Sequence, residues 1–207
     1  MLLTADQVVT GTAVYSPGWV EIAKGTVTAM GAGAGPRAVD TAQGDVALGG
    51  VTVVPGFVDM HTHGGGSGAF PDATEDGSRA AVALQRRHGT TTLVASLVSA
   101  HPDELLREAA VLGEQVQDGL IAGIHLEGPW LSPMRCGAHE PSALRSPELA
   151  EVERVFAAAK GAVRMVTIAP ELDGAMPAIR RMVELGAVAA VGHTDASYEQ
   201  ARAAIEA

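Results

Sequence analysis

Strand-like and helix-like segments alternate from residue 51 to the end of the chain, and this alternation constrains the fold more than any other feature. Five apolar or β-branched segments have the composition of strands: residues 51–59, 90–98, 120–127, 163–169 and 187–193. Helical patterns follow them at residues 74–88, 102–117, 147–160 and 177–185, and Ser197 with Gln200 forms a capping-box pattern before a fifth. Apolar strands alternating with helices predict a parallel sheet that is covered on both faces.

Two architectures are compatible with five such units, a doubly wound sheet and a (β/α)8 barrel. A complete barrel needs about 250 residues, so in the barrel interpretation residues 51–207 form only the first five units of a TIM-type barrel, and the doubly wound sheet stays open as the alternative. Residues 1–50 contain short β segments at 2–9, 14–22 and 26–30 and predict an incomplete β-sandwich segment.

The amino-acid composition limits which binding partners and which cellular compartment we expect. The net charge is −10, which argues against binding to nucleic acid or to an anionic membrane, because both need a basic surface. No apolar run approaches the roughly 20 residues of a membrane-spanning helix. The start of the chain has no basic leader with an apolar core. Because the single cysteine, Cys136, has no internal partner for a disulfide, we expect a cytoplasmic protein.

The first strand of the series ends in a histidine motif, Asp59-Met60-His61-Thr62-His63, followed by three glycines. Side chains two residues apart on a strand point to the same side, so His61 and His63 are expected to face one space. The carboxyl ends of parallel strands carry the active site in such folds, and paired imidazoles there suit a transition-metal ion. Asp59 is a candidate to orient one of the imidazoles. The alternative is two histidines that only form hydrogen bonds.

The third and fifth strands end in further candidate ligands. Glu127 ends an apolar strand, where a buried carboxylate is costly without a cation or hydrogen-bond donors. His125, two residues earlier, is expected to be an interior or supporting histidine rather than a ligand. His193 ends the fifth strand. Three strands therefore deliver metal-ligand residue types to one edge of the sheet.

The loop after Glu127 contains Cys136-Gly137-Ala138-His139. Loops over this edge handle the substrate in β/α barrels, so His139 is a candidate to hydrogen-bond a substrate carbonyl or hydroxyl group. Cys136 has no evident base beside it, and we interpret it as an incidental loop thiol.

Together these segments resemble the amidohydrolase superfamily and, within it, the N-acetylglucosamine-6-phosphate deacetylases. The matching segments are residues 55–64, 125–131, 136–139 and 191–194. The resemblance implies that Glu127 and His193 bind one divalent metal ion and that His61 and His63 bind another. It also implies that His139, with the backbone at Ala138, contacts the sugar. The expected ion is zinc, iron, cobalt or manganese, with one or two per subunit.

The implied reaction removes acetate from N-acetylglucosamine 6-phosphate, and the implied assembly is a homodimer of the full-length enzyme. The family's catalytic aspartate is expected beyond residue 207, so none of the residues present is predicted to be the general base. Two alternatives stay open. One is another amidohydrolase, such as a dihydroorotase type, although no lysine stands at the end of the fourth strand. The other is an inert fragment that binds metal or sugar phosphate.

Overall fold

The structure is a computed structural model that describes residues 1–207. The chain divides into two compact units, Met1–Gly56 and Phe57–Ala207. The sequence-based division after residue 50 falls inside the last strand of the first unit, and we propose Gly56 as the boundary. None of the helices combines the length and hydropathy that a membrane-spanning helix requires.

The first unit is a single five-stranded sheet. Its strands are β1 (Leu2–Val9), β2 (Val14–Tyr15), β3 (Gly18–Ala23), β4 (Thr26–Ala32) and β5 (Val46–Val53). Strand β1 is central, because it pairs antiparallel with β2 and β3 and parallel with β5. The buried Asp45 lies immediately before β5 and fixes the start of this strand. Its carboxylate accepts a hydrogen bond from Leu2 N–H and forms an ion pair with Arg37.

The second unit is a parallel sheet of five strands with helices packed on its outer face. Its main strands are β6 (Phe57–Thr62), β9 (Thr90–Leu97), β10 (Gly123–Glu127), β11 (Val163–Ile168) and β12 (Val188–Val191), after a small hairpin of β7 (Gly64–Gly65) and β8 (Gly68–Ala69). The strand order is β6-β9-β10-β11-β12 with every main pair parallel. This curled sheet confirms the predicted partial TIM-type barrel.

Five helices connect and cover these strands: α1 (Glu75–Arg87), α2 (Pro102–Gln117), α3 (Leu149–Ala158), α4 (Ala175–Glu184) and α5 (Tyr198–Ile205). Their starts follow from local chemistry. Thr74 caps α1 through Gly77 N, and Pro102 occupies the first turn of α2. The predicted capping box of Ser197 and Gln200 is present at α5.

Alternation along the strands separates an apolar outer layer from a polar inner face. On β10, Ile124 and Leu126 are fully buried in the main hydrophobic core with residues of α2 and α3. His125 and Glu127 occupy the other side of the same strand, as the two-residue period requires. Helices α2 and α3 approach closely because position 113 is glycine, where an added Cβ would lie 2.9 Å from Ala159 O. The candidate site therefore stands on a well-packed base.

Proline explains where two predicted strands are wrong. Residues 51–59 are not one strand, since β5 ends at Val53 and β6 begins at Phe57, with Pro55 between them. Likewise, residues 14–22 form β2 and β3, separated at Pro17. Proline has no N–H to donate to a sheet ladder, so each strand is interrupted there.

The expectation that every strand is covered on both faces is also wrong for β6. Phe57 is 60% exposed and Val58 is 61% exposed. Strand β6 pairs only with β9, so its second edge has no neighbouring strand. An apolar segment of this kind predicts a central strand buried on both faces. The apolar side chains of β6 are more exposed than that.

Candidate metal centre

Strands β6, β10 and β12 and the loop after β10 bring five side chains together at the carboxyl end of the sheet. We call them the histidine cluster: His61, His63, Glu127, His139 and His193. Glu127 is central to the cluster, and the residue is only 8% exposed. Within the cluster, two overlapping sets have ligand atoms within 4.8 Å of one another. The structure thus places these predicted residues of the three strand ends beside one another.

His61 on β6 and His63 immediately after it approach the same carboxylate oxygen. His63 Nε2 lies 2.9 Å and His61 Nε2 3.2 Å from Glu127 Oε2, and these two nitrogens are 3.2 Å apart. A break in the β6–β9 register between Asp59 and Thr62 accompanies this geometry. The expected pairing of His61 and His63 is therefore present, with Glu127 as its third member.

His193 reaches the other carboxylate oxygen from the opposite side. Its Nε2 lies 3.2 Å from Glu127 Oε1. Its Nδ1 lies 2.8 Å from Arg135 O, and His63 Nδ1 lies 3.1 Å from Ser96 O. Because a carbonyl oxygen only accepts, both Nδ1 atoms must carry the hydrogen in the neutral rings. Both Nε2 atoms then present lone pairs to the carboxylate.

Lone pairs facing a carboxylate repel it unless a cation lies between them. Either protonated imidazoles or a metal ion satisfies this requirement, and the mixed nitrogen and oxygen donor set suits a transition-metal ion. Backbone carbonyls hold the Nδ1 atoms in the manner that is usual for metal-binding histidines. The residues present therefore fit a divalent metal ion.

His139 has the opposite tautomer. Its Nδ1 accepts a hydrogen bond from Ser99 N–H at 3.2 Å, so the hydrogen of the neutral ring is on Nε2. That Nε2 is 3.7 Å from Glu127 Oε2. Burial lowers the pKa of His139, which favours this neutral form. In this state His139 offers a hydrogen-bond donor to the site rather than a lone pair for a metal.

The electrostatics of Glu127 follow from its neighbours. Burial acts to raise the pKa of this carboxyl, but its electrostatic interactions with the imidazoles of His61, His63, His139 and His193 outweigh burial and lower the pKa. Glu127 is therefore held as a carboxylate, the form that binds a metal ion.

His125 lies one layer deeper and has both ring nitrogens occupied. The fully buried ring meets Ser96 Oγ at 2.9 Å through Nδ1 and Thr167 Oγ1 at 2.8 Å through Nε2. Burial lowers the pKa of His125 to about 4. Since Ser96 Oγ also accepts from Thr62 N–H at 3.1 Å, this interior network ties β6, β9, β10 and β11 together beneath the cluster.

The structure also places two other predicted site residues, Asp59 and Ala138. Asp59 Oδ1 accepts a hydrogen bond from His61 N–H at 3.1 Å, so its observed contact is with the backbone and not with an imidazole ring. Ala138 is exposed on the loop after β10. The neighbouring Gly137 packs against the His193 ring, where an added Cβ would lie 3.2 Å from Cε1.

Sequence reasoning missed the residues that support the cluster. Ser96 and Ser99 are polar positions at the end of β9, and Thr167 occupies the inner face of β11. Glu151 on α3 anchors the loop after β10 by accepting from Trp130 Nε1–H and from Arg145. Polar residues near the carboxyl ends of apolar strands are the one signal that points to the first three.

Comparisons with known proteins are consistent with this centre. The model of the amidohydrolase family matches residues 52–207. The chain belongs to the amidohydrolase family. An N-acetylglucosamine-6-phosphate deacetylase of Vibrio furnissii is 32% identical over 187 residues, which cover 88% of this chain and 46% of that protein. An N-acetylgalactosamine-6-phosphate deacetylase of Escherichia coli O157:H7 is 29% identical over 199 residues, which cover 92% of this chain and 51% of that protein.

One solved structure has a higher sequence identity to this chain than these two relatives. The crystal structure of N-acetyl-D-glucosamine-6-phosphate deacetylase from Mycobacterium smegmatis is 60% identical, with a TM-score of 0.96. The match covers 100% of this chain and 53% of that one. The chain of this amidohydrolase thus spans about half the length of the relatives it matches.

Proposed function

We propose that this amidohydrolase chain provides the metal-binding part of an enzyme that deacetylates N-acetylglucosamine 6-phosphate. The observation that carries the proposal is the Glu127 carboxylate, set between imidazole nitrogens whose lone pairs face it. The 60% identity to the M. smegmatis deacetylase supports the choice of substrate.

Four residues of the cluster would hold the metal: His61, His63, Glu127 and His193. The ion would be zinc, iron, cobalt or manganese, one or two per subunit. When bound, such an ion polarises an amide carbonyl and lowers the pKa of its water ligand towards neutrality. Backbone carbonyls at Ser96 and Arg135 hold the His63 and His193 rings in the tautomer that this requires.

We assign substrate contact to His139 and the backbone at Ala138. The Nε2–H of His139 is directed towards the Glu127 side of the site, where it would donate to the carbonyl or a hydroxyl group of the N-acetyl sugar. Ser99 N–H fixes this orientation from the buried side. His139 is thereby a positioned neutral donor, which costs little reorganisation during the reaction.

We assign the general base to none of the residues present. The aspartates nearest the cluster are already engaged, since Asp59 accepts from His61 N–H and Asp195 pairs with Arg135. In line with the resemblance to the deacetylases, the proposal places the general base on an aspartate outside residues 1–207. A homodimer and a cytoplasmic setting belong to the same proposal, and the free Cys136 is consistent with a reducing compartment.

The proposal is tested by measuring acetate release by the protein purified from its own source. We expect release from N-acetylglucosamine 6-phosphate that a chelator abolishes and that added metal restores. Turnover of dihydroorotate instead would favour another amidohydrolase, and metal uptake without any turnover would favour a binding protein.

A second candidate substrate is N-acetylgalactosamine 6-phosphate, because the E. coli O157:H7 relative is named for it. The same assay with both sugars distinguishes the two by their kcat/KM ratio. By itself, the 207-residue chain is expected to bind metal without releasing acetate. Robust acetate release by this chain would contradict the assignment of the general base to a residue outside it.

A further inference from the structure

His193 adopts a backbone conformation that its side chain does not favour. Its φ is +48°, in the left-handed region that non-glycine residues seldom occupy. Such a conformation persists where the surrounding structure fixes it. The ring and the carbonyl are fixed from the loop after β10, because Nδ1–H donates to Arg135 O and His193 O accepts from Ser132 N–H at 2.9 Å.

The two residues after His193 are fixed by a different loop. Glu171 follows β11 and directs both carboxylate oxygens at this segment. Oε2 accepts from the Thr194 hydroxyl at 2.5 Å, and Oε1 accepts from Asp195 N–H at 2.7 Å. Thr194 Oγ1 in turn accepts from Ala196 N–H at 2.9 Å. A single carboxylate thus holds the backbone immediately after the left-handed residue.

Apart from Glu171, the side-chain contact that holds Asp195 is weak. The ion pair of Arg135 with Asp195 joins side chains that are 61% and 46% exposed, and exposed pairs contribute little. Although burial acts to raise the pKa of Glu171, its hydrogen bonds from Thr194 and Asp195 outweigh burial and lower the pKa. These hydrogen bonds to an ionised group are of the strong, charge-assisted kind.

We propose that Glu171 is a positioning residue that holds His193 with its Nε2 directed at Glu127. Glu171 acts through Thr194 and Asp195 and is not itself one of the proposed metal ligands. This inference rests on the proposed function, in which His193 is a metal ligand. A residue that only stabilised the fold would alter unfolding without altering the metal site.

The test uses Co²⁺ as the probe, with its visible absorption spectrum reporting ligand geometry. The full chain is titrated with Co²⁺ in wild type, Glu171→Ala, Glu171→Gln and Thr194→Val, with Glu184→Gln as an exposed control on α4. We expect Glu171→Ala to weaken Co²⁺ binding by about 10- to 100-fold and to change the spectrum. Glu184→Gln is expected to match the wild type.

Glu171→Gln is the conservative variant. Its amide oxygen still accepts from Asp195 N–H, and its amide nitrogen donates to Thr194 Oγ1, so we expect most of the affinity and the wild-type spectrum. Thr194→Val removes one of the two hydrogen bonds to Glu171, together with the hydrogen bond from Ala196 N–H, and is expected to weaken binding by about 10-fold. If Glu171→Ala does not fold, Thr194→Val decides the question, because it removes a single hydroxyl group.

Wild-type affinity and an unchanged spectrum in both Glu171→Ala and Thr194→Val would overturn the inference, whatever happens to thermal stability. Failure of the wild type itself to bind Co²⁺ at the cluster would overturn the proposed function and this inference with it. The two failures are distinguishable because only the second appears before any residue is changed.

Discussion

Glu127 and Glu108 are both buried carboxylates, yet their surroundings give them opposite properties. Glu108 on α2 is 2% exposed, its Oε2 has no hydrogen-bond partner, and Arg107 approaches only to 3.7 Å. Burial, with a further contribution from Glu104, raises the pKa of Glu108 to about 7. At Glu127 four imidazoles reverse the effect of burial. A functional carboxylate is thus recognised by the groups that converge on it, and not by its burial.

The largest expected effect comes from removing the central carboxylate. Glu127→Gln should lower the affinity for Zn²⁺ or Co²⁺ by more than about 100-fold, beyond the 10- to 100-fold cost of losing a residue that merely supports a ligand. The reason is that the amide is neutral and is a poor metal ligand. Titration calorimetry measures the change.

Glu108→Gln is the matched control for this experiment, since it makes the same substitution at the other buried carboxylate. It should leave metal affinity within about twofold, because Glu108 is outside the cluster. Equal losses in the two variants would break the distinction between the two carboxylates.

The next effect separates the cluster from the interior network beneath it. His125→Ala should lower the free energy of unfolding by about 3 kcal/mol, because it leaves a cavity and two hydroxyl groups without their partner. Urea denaturation measures this loss. The folded fraction should still bind Co²⁺ within about tenfold of wild type. A loss of metal affinity as large as that of Glu127→Gln, with unchanged stability, would instead make His125 a ligand.

The smallest effect is the pH dependence that Glu108 imposes on stability. Its folded-state pKa is about 7 and its ordinary value is 4.5. Between these values the folded state retains a proton that the unfolded state releases, so the free energy of unfolding falls as pH rises through this window. Glu108→Gln removes this loss and should stabilise the protein by at most about 3 kcal/mol at pH 8, with no difference below pH 4.5.

Urea denaturation from pH 4 to pH 8 tests this expectation. Glu114→Gln, at an exposed position on the same helix, should change stability by less than about 0.5 kcal/mol. A flat wild-type profile across the window would show that Glu108 ionises freely in the folded protein, and the contrast with Glu127 would be lost.

Much of the site could be predicted because the apolar segments of the sequence indicate where the strands end. His61, His63, Glu127 and His193 each follow or end an apolar segment, and parallel strands bring such ends to one edge. The same reasoning placed His125 on the inner face with Glu127. The five β/α units and the Ser197 capping box were predictable for similar reasons, since each depends on short-range patterns.

The tautomers could not be predicted, because they depend on which backbone groups the register places beside each ring. His139 and His193 are both histidines of this edge, yet one accepts from Ser99 N–H and the other donates to Arg135 O. The role of Glu171 was hidden for the same reason, since its partners at Thr194 and Asp195 lie on another loop. The sequence also could not indicate which apolar strands, such as β6, would remain partly exposed.

Anomalous diffraction from crystals containing Zn²⁺ or Co²⁺ tests the central claim most directly. We predict an anomalous peak at about 2.0–2.2 Å from a Glu127 carboxylate oxygen and from His193 Nε2, with any second peak beside His61 and His63. A peak only at a surface position such as Cys136, or no peak at saturating metal, would contradict the account.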